Sequence, residues 1–440
     1  GLPRPGPLRI GSPHAVCCFA VHAERRRLLL DAMGEDSVAL FLGARLATRS
    51  HDTQYPFRQD SDFWYLTGFD HPRAIAVLRT DGGPPYTLFV EPRNREAETW
   101  TGYRPGIEGA KRDYGADEAF EIDSFETELS GILSKPKQIY HVLGRERDLD
   151  AKIAEILGNM RLLSRQGFEP ASIIVDPRNL LHEMRLRKEP AELEIMRRAA
   201  AITTEAHQEA ARLIRDGRFE YEIAAMLEYS FRRLGASGPA YTTIVGGGRN
   251  ATTLHYTTND AQLVSGELVL IDAACELEGY ASDVTRTYPV DGAMRGPARA
   301  IYEVVLTAQE ASLQACRPGA TLEEIHDTAV RSLVEGLVDL GLLGGEVDEL
   351  IAEDAYRPYY MHRTSHWLGL DAHDVGTYTV GGKRMVNETV RVFTIEPGRC
   401  VADEVENAGA DFRGIGVRIV DVVVVAGGGG EGLAAAGRSW

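Results

Sequence analysis

Two helix-like segments followed by strand-like segments occur twice in the C-terminal part of this 440-residue chain, and that doubled order constrains the fold most. Lys188-Glu189-Pro190-Ala191 opens the first round, because proline suits a first helical turn, where its missing N–H would have no partner. Leu193, Met196, Ala200, Thr203, His207, Ala211 and Ile214 then step by three or four along one face, and Gly217 ends it. A second helix is expected over about Tyr221–Leu234, stopping at Gly235. Strands are expected at Tyr241–Val245, Leu268–Ala274 and Tyr280–Val290. The second round has a helix over about Ala298–Ala315, stopped by Pro318-Gly319. Thr321 with Glu324 then reads as a capping box, and Ile325, Ala329, Leu333 and Leu337 form the buried face of the next helix, which Gly341 ends. Strands follow at Tyr359–His362, Arg391–Glu396 and Gly416–Val425. The doubled order predicts a pseudo-symmetric, duplicated domain.

Ahead of it, His22 to about Pro177 alternates short apolar runs with amphipathic segments, a mixed α/β domain of its own. Ser37–Leu42, Ala74–Leu78, Tyr86–Val90 and Ile139–Leu143 read as strands, and Phe120–Leu133 and Leu149–Leu157 as helices. The predicted division is a Pro/Gly-rich disordered leader or expression remnant over residues 1–18, an N-terminal domain over 19–180, a duplicated domain over 181–426, and a Gly/Ala-rich tail over 427–440. The fold class expected is α+β. Lys+Arg 48 against Asp+Glu 65 leaves a net charge of −17, which repels phosphate backbones, so no nucleic-acid partner is expected. No stretch approaches the ~18 apolar residues of a membrane span, so no membrane partner is expected either. Five cysteines without a CxxC pair favour a reducing, cytoplasmic setting and argue against thiolate-bound zinc. Gly246-Gly247-Gly248 lacks a nucleotide-binding frame and reads as a loop or turn.

The stretch from Val269 to Thr287 reads as a hairpin turning near Leu277-Glu278. Pairing Glu276 with Gly279 sets Asp272 directly opposite Asp283, and moving the turn by one residue still leaves both on one face. Opposed residues have Cβ atoms about 4.5–5.5 Å apart. Two carboxylates that close repel unless a proton or cation lies between them. With apolar Val269, Ile271 and Val284 around them, a divalent cation is the natural partner, against the plainer reading of two exposed strand aspartates.

The second half offers more donors. Val392 to Ile395 is an apolar strand ending in Glu396, which Pro397 keeps extended. Met361 to Asp374 packs His362, His366 and His373 into one segment, whereas His207 and His326 lie on helices and read as structural or solvated.

The set Asp272, Asp283, His366 and Glu396 resembles the metal ligands of the pita-bread metallopeptidases. Within that family the likeness is to the Xaa-Pro aminopeptidase (aminopeptidase P) group. It is carried also by Tyr55-Pro56-Phe57-Arg58-Gln59-Asp60-Ser61-Asp62-Phe63-Trp64-Tyr65-Leu66-Thr67-Gly68-Phe69, Leu254-His255-Tyr256, Ser365-His366-Trp367-Leu368-Gly369-Leu370 and Ile395-Glu396-Pro397-Gly398. It covers nearly everything from about Phe19 to Val425. The resemblance implies a pita-bread domain with a dinuclear site, usually manganese with zinc an alternative, that activates water against the peptide bond before a proline in second position. It implies that Asp272 holds one ion, that Asp283 bridges both, and that His366 and Glu396 hold the second, Glu396 doubling as general base. His255, His362 and His373 match positions that steady substrate and tetrahedral intermediate, and Arg418 matches a supporting arginine.

The sequence departs from that family at one ligand. A bridging glutamate is expected within Gly-x-Arg-x-Glu-Asp, but the chain reads Gly416-Val417-Arg418-Ile419-Val420-Asp421. Asp421 cannot stand in, since neighbouring strand residues face opposite sides. The expectation is one tightly bound ion at most, or a site empty as isolated, with weak or absent activity on proline-containing peptides. The alternatives are a prolidase cleaving Xaa-Pro dipeptides and an inactive peptide-binding protein. Creatinase shares the fold without using these ligands, and the four retained donors argue against it. Trp100, read as lying in a polar loop, is either local packing or, by the resemblance, a contact to another subunit, hence an expected homo-oligomer.

Overall fold

The computed structural model describes residues 13–167, 169–380, 382–403, 405 and 409–433. The described chain forms two compact units that divide between Glu183 and Met184. A helix runs over Pro13–Met33, so part of the expected leader is helical, while residues 1–12 lie outside the described ones.

The N-terminal unit is built on a six-stranded sheet of β1 (Ser37–Leu42), β2 (Ile75–Arg79), β3 (Tyr86–Val90), β4 (Glu118–Glu121), β5 (Gln138–Tyr140) and β6 (Ile173–Val175), in the order β4-β3-β2-β1-β5-β6. β1–β2 and β2–β3 are antiparallel, and the outer pairings are parallel. Its core joins Val38, Leu40, Val77 and Phe89 to Phe125, Leu129 and Ile153. The helix expected over Phe120–Leu133 is instead β4, a 3-10 turn at Ile122–Ser124 and a helix from Phe125 to Ile132. Glu118-Ala119-Phe120-Glu121 pairs with β3 at the sheet edge, a pairing that its own sequence, with no period-two pattern, does not announce. Trp100 sits on a short helix, Arg95–Thr101, not in a loop, and is 85% exposed, so it is no local packing residue.

The C-terminal unit repeats one plan. Helices α1 (Pro190–Ala211) and α2 (Glu220–Arg233) precede β7 (Ile244–Gly247), β8 (Leu268–Asp272), β9 (Cys275–Leu277), β10 (Tyr280–Ala281) and β11 (Thr285–Pro289). Helices α3 (Gly296–Ala315) and α4 (Leu322–Asp339) precede β12 (Val392–Ile395), β13 (Gly398–Val401), β14 (Ile415–Arg418), β15 (Asp421–Ala426) and β16 (Gly429–Gly432). Pro190 occupies the first turn of α1, and Thr321 with Glu324 closes the expected capping box on α4. Each helix pair buries an apolar face: Leu227 and Phe231 with Val245 and Val269 in the first half, Ile301, Leu333 and Leu337 with Val417 and Ile419 in the second.

Four expectations change. Tyr280–Val290 is broken between β10 and β11. Tyr359–His362 is irregular, not a strand. Gly416–Val425 is broken between β14 and β15. Part of the expected tail, Gly429–Gly432, is a strand that pairs with β15, while residues 434–440 lie outside the described ones. Thr285 of β11 bridges Val420, which joins the strands of the two halves.

Candidate metal centre

The hairpin turns one residue later than its expected position. Leu277 pairs with Tyr280 across Glu278 (φ 50°) and Gly279 (φ 82°), a two-residue turn with both central residues left-handed. Asp272 therefore opposes Thr285, and Asp283 lies two residues before it on the same face. The two aspartates are diagonal neighbours, not direct opposites. A residue the sequence reading missed holds them together: the Tyr241 hydroxyl shares its proton between Asp272 Oδ1 at 2.7 Å and Asp283 Oδ1 at 3.1 Å. Burial, reinforced by both carboxylates, pushes the Tyr241 phenol well above its ordinary range, so it stays a donor. Arg418 Nη2 donates to Asp272 Oδ2 at 2.6 Å.

Glu396 follows the apolar strand β12, and its side chain is 18% exposed. Its N–H donates to the Thr364 carbonyl at 2.8 Å, and its Oε1 accepts from Thr394 Oγ1 at 3.0 Å. Burial raises the carboxyl to about 7, with Asp283 adding to the rise while His366 and Arg418 oppose it. Thr394 was also missed. It lies two residues before Glu396, so strand alternation puts both on one face, a signal that could have found it.

His366 lies between the two carboxylates: Nε2 is 3.4 Å from Asp283 Oδ2 and 3.4 Å from Glu396 Oε1. Its N–H donates to Thr394 Oγ1 at 3.1 Å, and Nδ1 lies 3.1 Å from the Trp367 carbonyl. A proton on Nδ1 leaves the Nε2 lone pair facing the carboxylates, the tautomer a metal needs. Burial lowers the pKa of this imidazole, but Asp283 and Glu396 together outweigh it and raise the value to about 9. Without an ion, His366 thus carries the positive charge between two acids. Behind this segment, Asp374 receives Lys188 Nζ at 2.9 Å and Arg185 Nη2 at 2.6 Å, which fastens the loop carrying His366.

The other expected residues surround this group. His362 is half-buried, its ring 4.8 Å from that of Tyr360, and burial lowers it to about 4. His373 is exposed with its ring centroid 4.2 Å from that of His366, and its pKa is lowered by burial and then by His366 and His255. His255 is exposed in the segment after β7. A cavity of about 410 Å³ adjoins the group, with His366, Trp367, His326, Arg363 and Tyr378 in its wall. His326 is buried and hydrogen-bonded to Thr364 Oγ1, and His207 to the Ala273 carbonyl, so both are structural.

Asp421 faces away from the centre, fully buried against Arg286 Nη2 at 2.6 Å and Gln309 Nε2 at 2.9 Å. Val420 is 2% exposed and supplies no donor.

Among the described residues no three His, Cys, Asp or Glu side chains are already drawn together as a metal cage. The donor chemistry nonetheless fits a divalent ion. The set is carboxylate oxygen and imidazole nitrogen, and Glu396 is a largely buried carboxylate whose charge needs a partner. Binding would displace the proton from His366.

Comparisons with known proteins place the chain in a family. Residues 194–426 match the model of metallopeptidase family M24, and residues 22–140 match the aminopeptidase P N-terminal domain. The chain is 43% identical over 413 residues to the Xaa-Pro aminopeptidase of Escherichia coli strain K12, covering 93% of each. It is 32% identical to human Xaa-Pro aminopeptidase 3, covering 96% of this chain and 84% of the relative. Among solved structures, an aminopeptidase of Pseudomonas aeruginosa superposes with a TM-score of 0.92 at 44% identity, covering 95% of each chain. The duplicated unit is thus a pita-bread domain, and the chain belongs to metallopeptidase family M24.

Proposed function

We propose that this chain is a metal-dependent Xaa-Pro aminopeptidase, releasing the N-terminal residue from peptides with proline in second position. The observation that carries this reading is the convergence of donors from both halves: Asp272 and Asp283 from one, His366 and Glu396 from the other, with His366 Nε2 3.4 Å from two of the carboxylates. Relatives named Xaa-Pro aminopeptidase at up to 43% identity support it. Manganese is the expected ion, and one neighbour is a zinc-substituted aminopeptidase P in complex with product. The bound ion would polarise the scissile carbonyl and make water a nucleophile near neutral pH.

The remaining work falls to the chain's own groups. Glu396, at the end of β12 beside His366, would serve as general base. His362, neutral at that pH, together with His255 and His373, donates hydrogen bonds to the carbonyl oxygen as charge builds on it. Arg418 fixes the orientation of Asp272. The exposed Trp100 supports a homo-oligomer. No described helix is long and apolar enough to cross a membrane, in keeping with a cytoplasmic enzyme.

The test is hydrolysis of Xaa-Pro-Xaa tripeptides against Xaa-Pro dipeptides with added MnCl₂. Tripeptide cleavage lost on chelation and in His366→Ala is expected. Cleavage of dipeptides alone would move the assignment to prolidase, and peptide binding without turnover would leave a non-catalytic protein.

A further inference from the structure

Asp272, Thr285 and Val420 stand in one row across three neighbouring strands, because Asp272 pairs with Thr285 and Thr285 bridges Val420. Directly opposed residues share a face. Position 420 therefore presents its side chain to the same side as the two aspartates. That side chain is a valine, and the next residue, Asp421, is committed on the other face to Arg286. Thr285 Oγ1, lying in the row between them, is fully buried and has no hydrogen-bond partner among the described residues. A hydroxyl orphaned beside a valine marks a place where a polar group is missing.

The donors that remain are unequal. On one side, Asp283, His366 and Glu396 supply three donors, with His366 Nε2 3.4 Å from an oxygen of each carboxylate. Donors about 2.1 Å from an ion and set at a tetrahedral angle lie about 3.4 Å apart. The two 3.4 Å separations from His366 Nε2 match that spacing, one carboxylate oxygen at a time. On the other side, Asp272 has one oxygen on the Tyr241 hydroxyl and the other on the Arg418 guanidinium, at 2.7 and 2.6 Å. A second cation there would meet a fixed positive charge, two aspartates already hydrogen-bonded, and the apolar wall of Val420.

We infer that this chain holds a single divalent ion, on Asp283, His366 and Glu396, and that Asp272 with Arg418 and Tyr241 forms a fixed, metal-free half of the centre because position 420 is valine. The inference rests on the proposed metal-dependent reading and deepens it.

The test is equilibrium dialysis of the full chain against MnCl₂, with metal analysis and electron paramagnetic resonance. The expected result is one ion per chain with the six-line spectrum of an isolated Mn²⁺. Retention should fall to none in His366→Ala, stay at one in Asp272→Asn, and rise to two in Val420→Glu. Two ions in the native chain, a spin-coupled spectrum, or loss of the ion in Asp272→Asn would overturn it. So would a folded Val420→Glu protein that still retains one. If Val420→Glu does not fold by circular dichroism, the Asp272→Asn count decides alone. Two ions together with proline-peptide cleavage would reject the single-ion inference and leave the peptidase reading standing. No retained manganese at all would reject both.

Discussion

Replacing Arg399 with methionine should stabilise the C-terminal unit. The Arg399 guanidinium is 1% exposed on β13, opposite Val417, and Nη2 donates to the Leu333 carbonyl. Nε and Nη1 have no partner, and the Tyr359 ring lies 6.0 Å away, at the outer limit of a cation–π contact. Burial lowers its pKa from the ordinary arginine range to about 9, and only the Tyr359 hydroxyl opposes this. At about 1.4 kcal/mol per decade, that displacement disfavours the charged form by about 5 kcal/mol. Methionine fills a similar volume without the charge. It forfeits one hydrogen bond of about 1 kcal/mol, and the Leu333 carbonyl keeps its place in α4. Measured replacements of buried charges by apolar residues gain about 1–4 kcal/mol, which is the net expected here. For a unit of this size each kcal/mol shifts Tm by roughly 2–4 °C, so scanning calorimetry at pH 7.5 should show a rise of about 2–15 °C in the melting of this unit.

The pH dependence supplies a second measurement. Arg399 holds its proton less tightly folded than unfolded, so above about pH 9 the unfolded chain binds more protons and stability from this residue increases with pH. The advantage of Arg399→Met should therefore shrink above pH 9. A variant melting at or below the native chain at pH 7.5 would refute the idea that this charge is uncompensated.

Three further outcomes follow from the geometry. His22, buried against the Tyr65 carbonyl, has its pKa lowered to about 3 by burial and then by Arg25, so the N-terminal unit should lose stability as pH falls from about 6.5 toward 3; His22→Asn should flatten that acid limb in a circular dichroism titration. Asp421→Asn removes the acid of a fully buried pair with Arg286 and should cost roughly 3–5 kcal/mol in denaturant unfolding while leaving manganese retention unchanged. Thr394 links the backbone of His366 to the Glu396 carboxylate, so Thr394→Val should weaken manganese binding by roughly 10-fold or more in titration calorimetry, and Thr394→Ser should restore it.

Much of the candidate site was legible because its residues sit in local patterns. Alternation put Asp272 and Asp283 on one face for either of two neighbouring two-residue turns, and it turned Asp421 away; the structure shows Asp421 against Arg286. The exact partner of Asp272 was not legible. Moving the turn to Glu278-Gly279 changes the opposed residue from Asp283 to Thr285 at no local cost, since both registers keep the same faces. Phe120–Leu133 misled because an edge strand and the start of a helix share apolar spacing over so few residues. Tyr241, whose hydroxyl reaches both aspartates, carried no pattern at all.

Helix starts, stops and buried faces are decided by neighbours three or four residues away, so Pro190, the Thr321–Glu324 box and the doubled helix-then-strand plan could be read from the chain alone. The missing donor at Val420 was equally visible, since a side chain's chemistry does not depend on its surroundings. Only packing between the halves decided that His366 lies 3.4 Å from acids of both, that Arg418 closes on Asp272, and that Thr285 and Arg399 are buried with unpaired donors. Such contacts join residues far apart in the chain, and their distances follow from how strands and helices settle against one another rather than from any local rule.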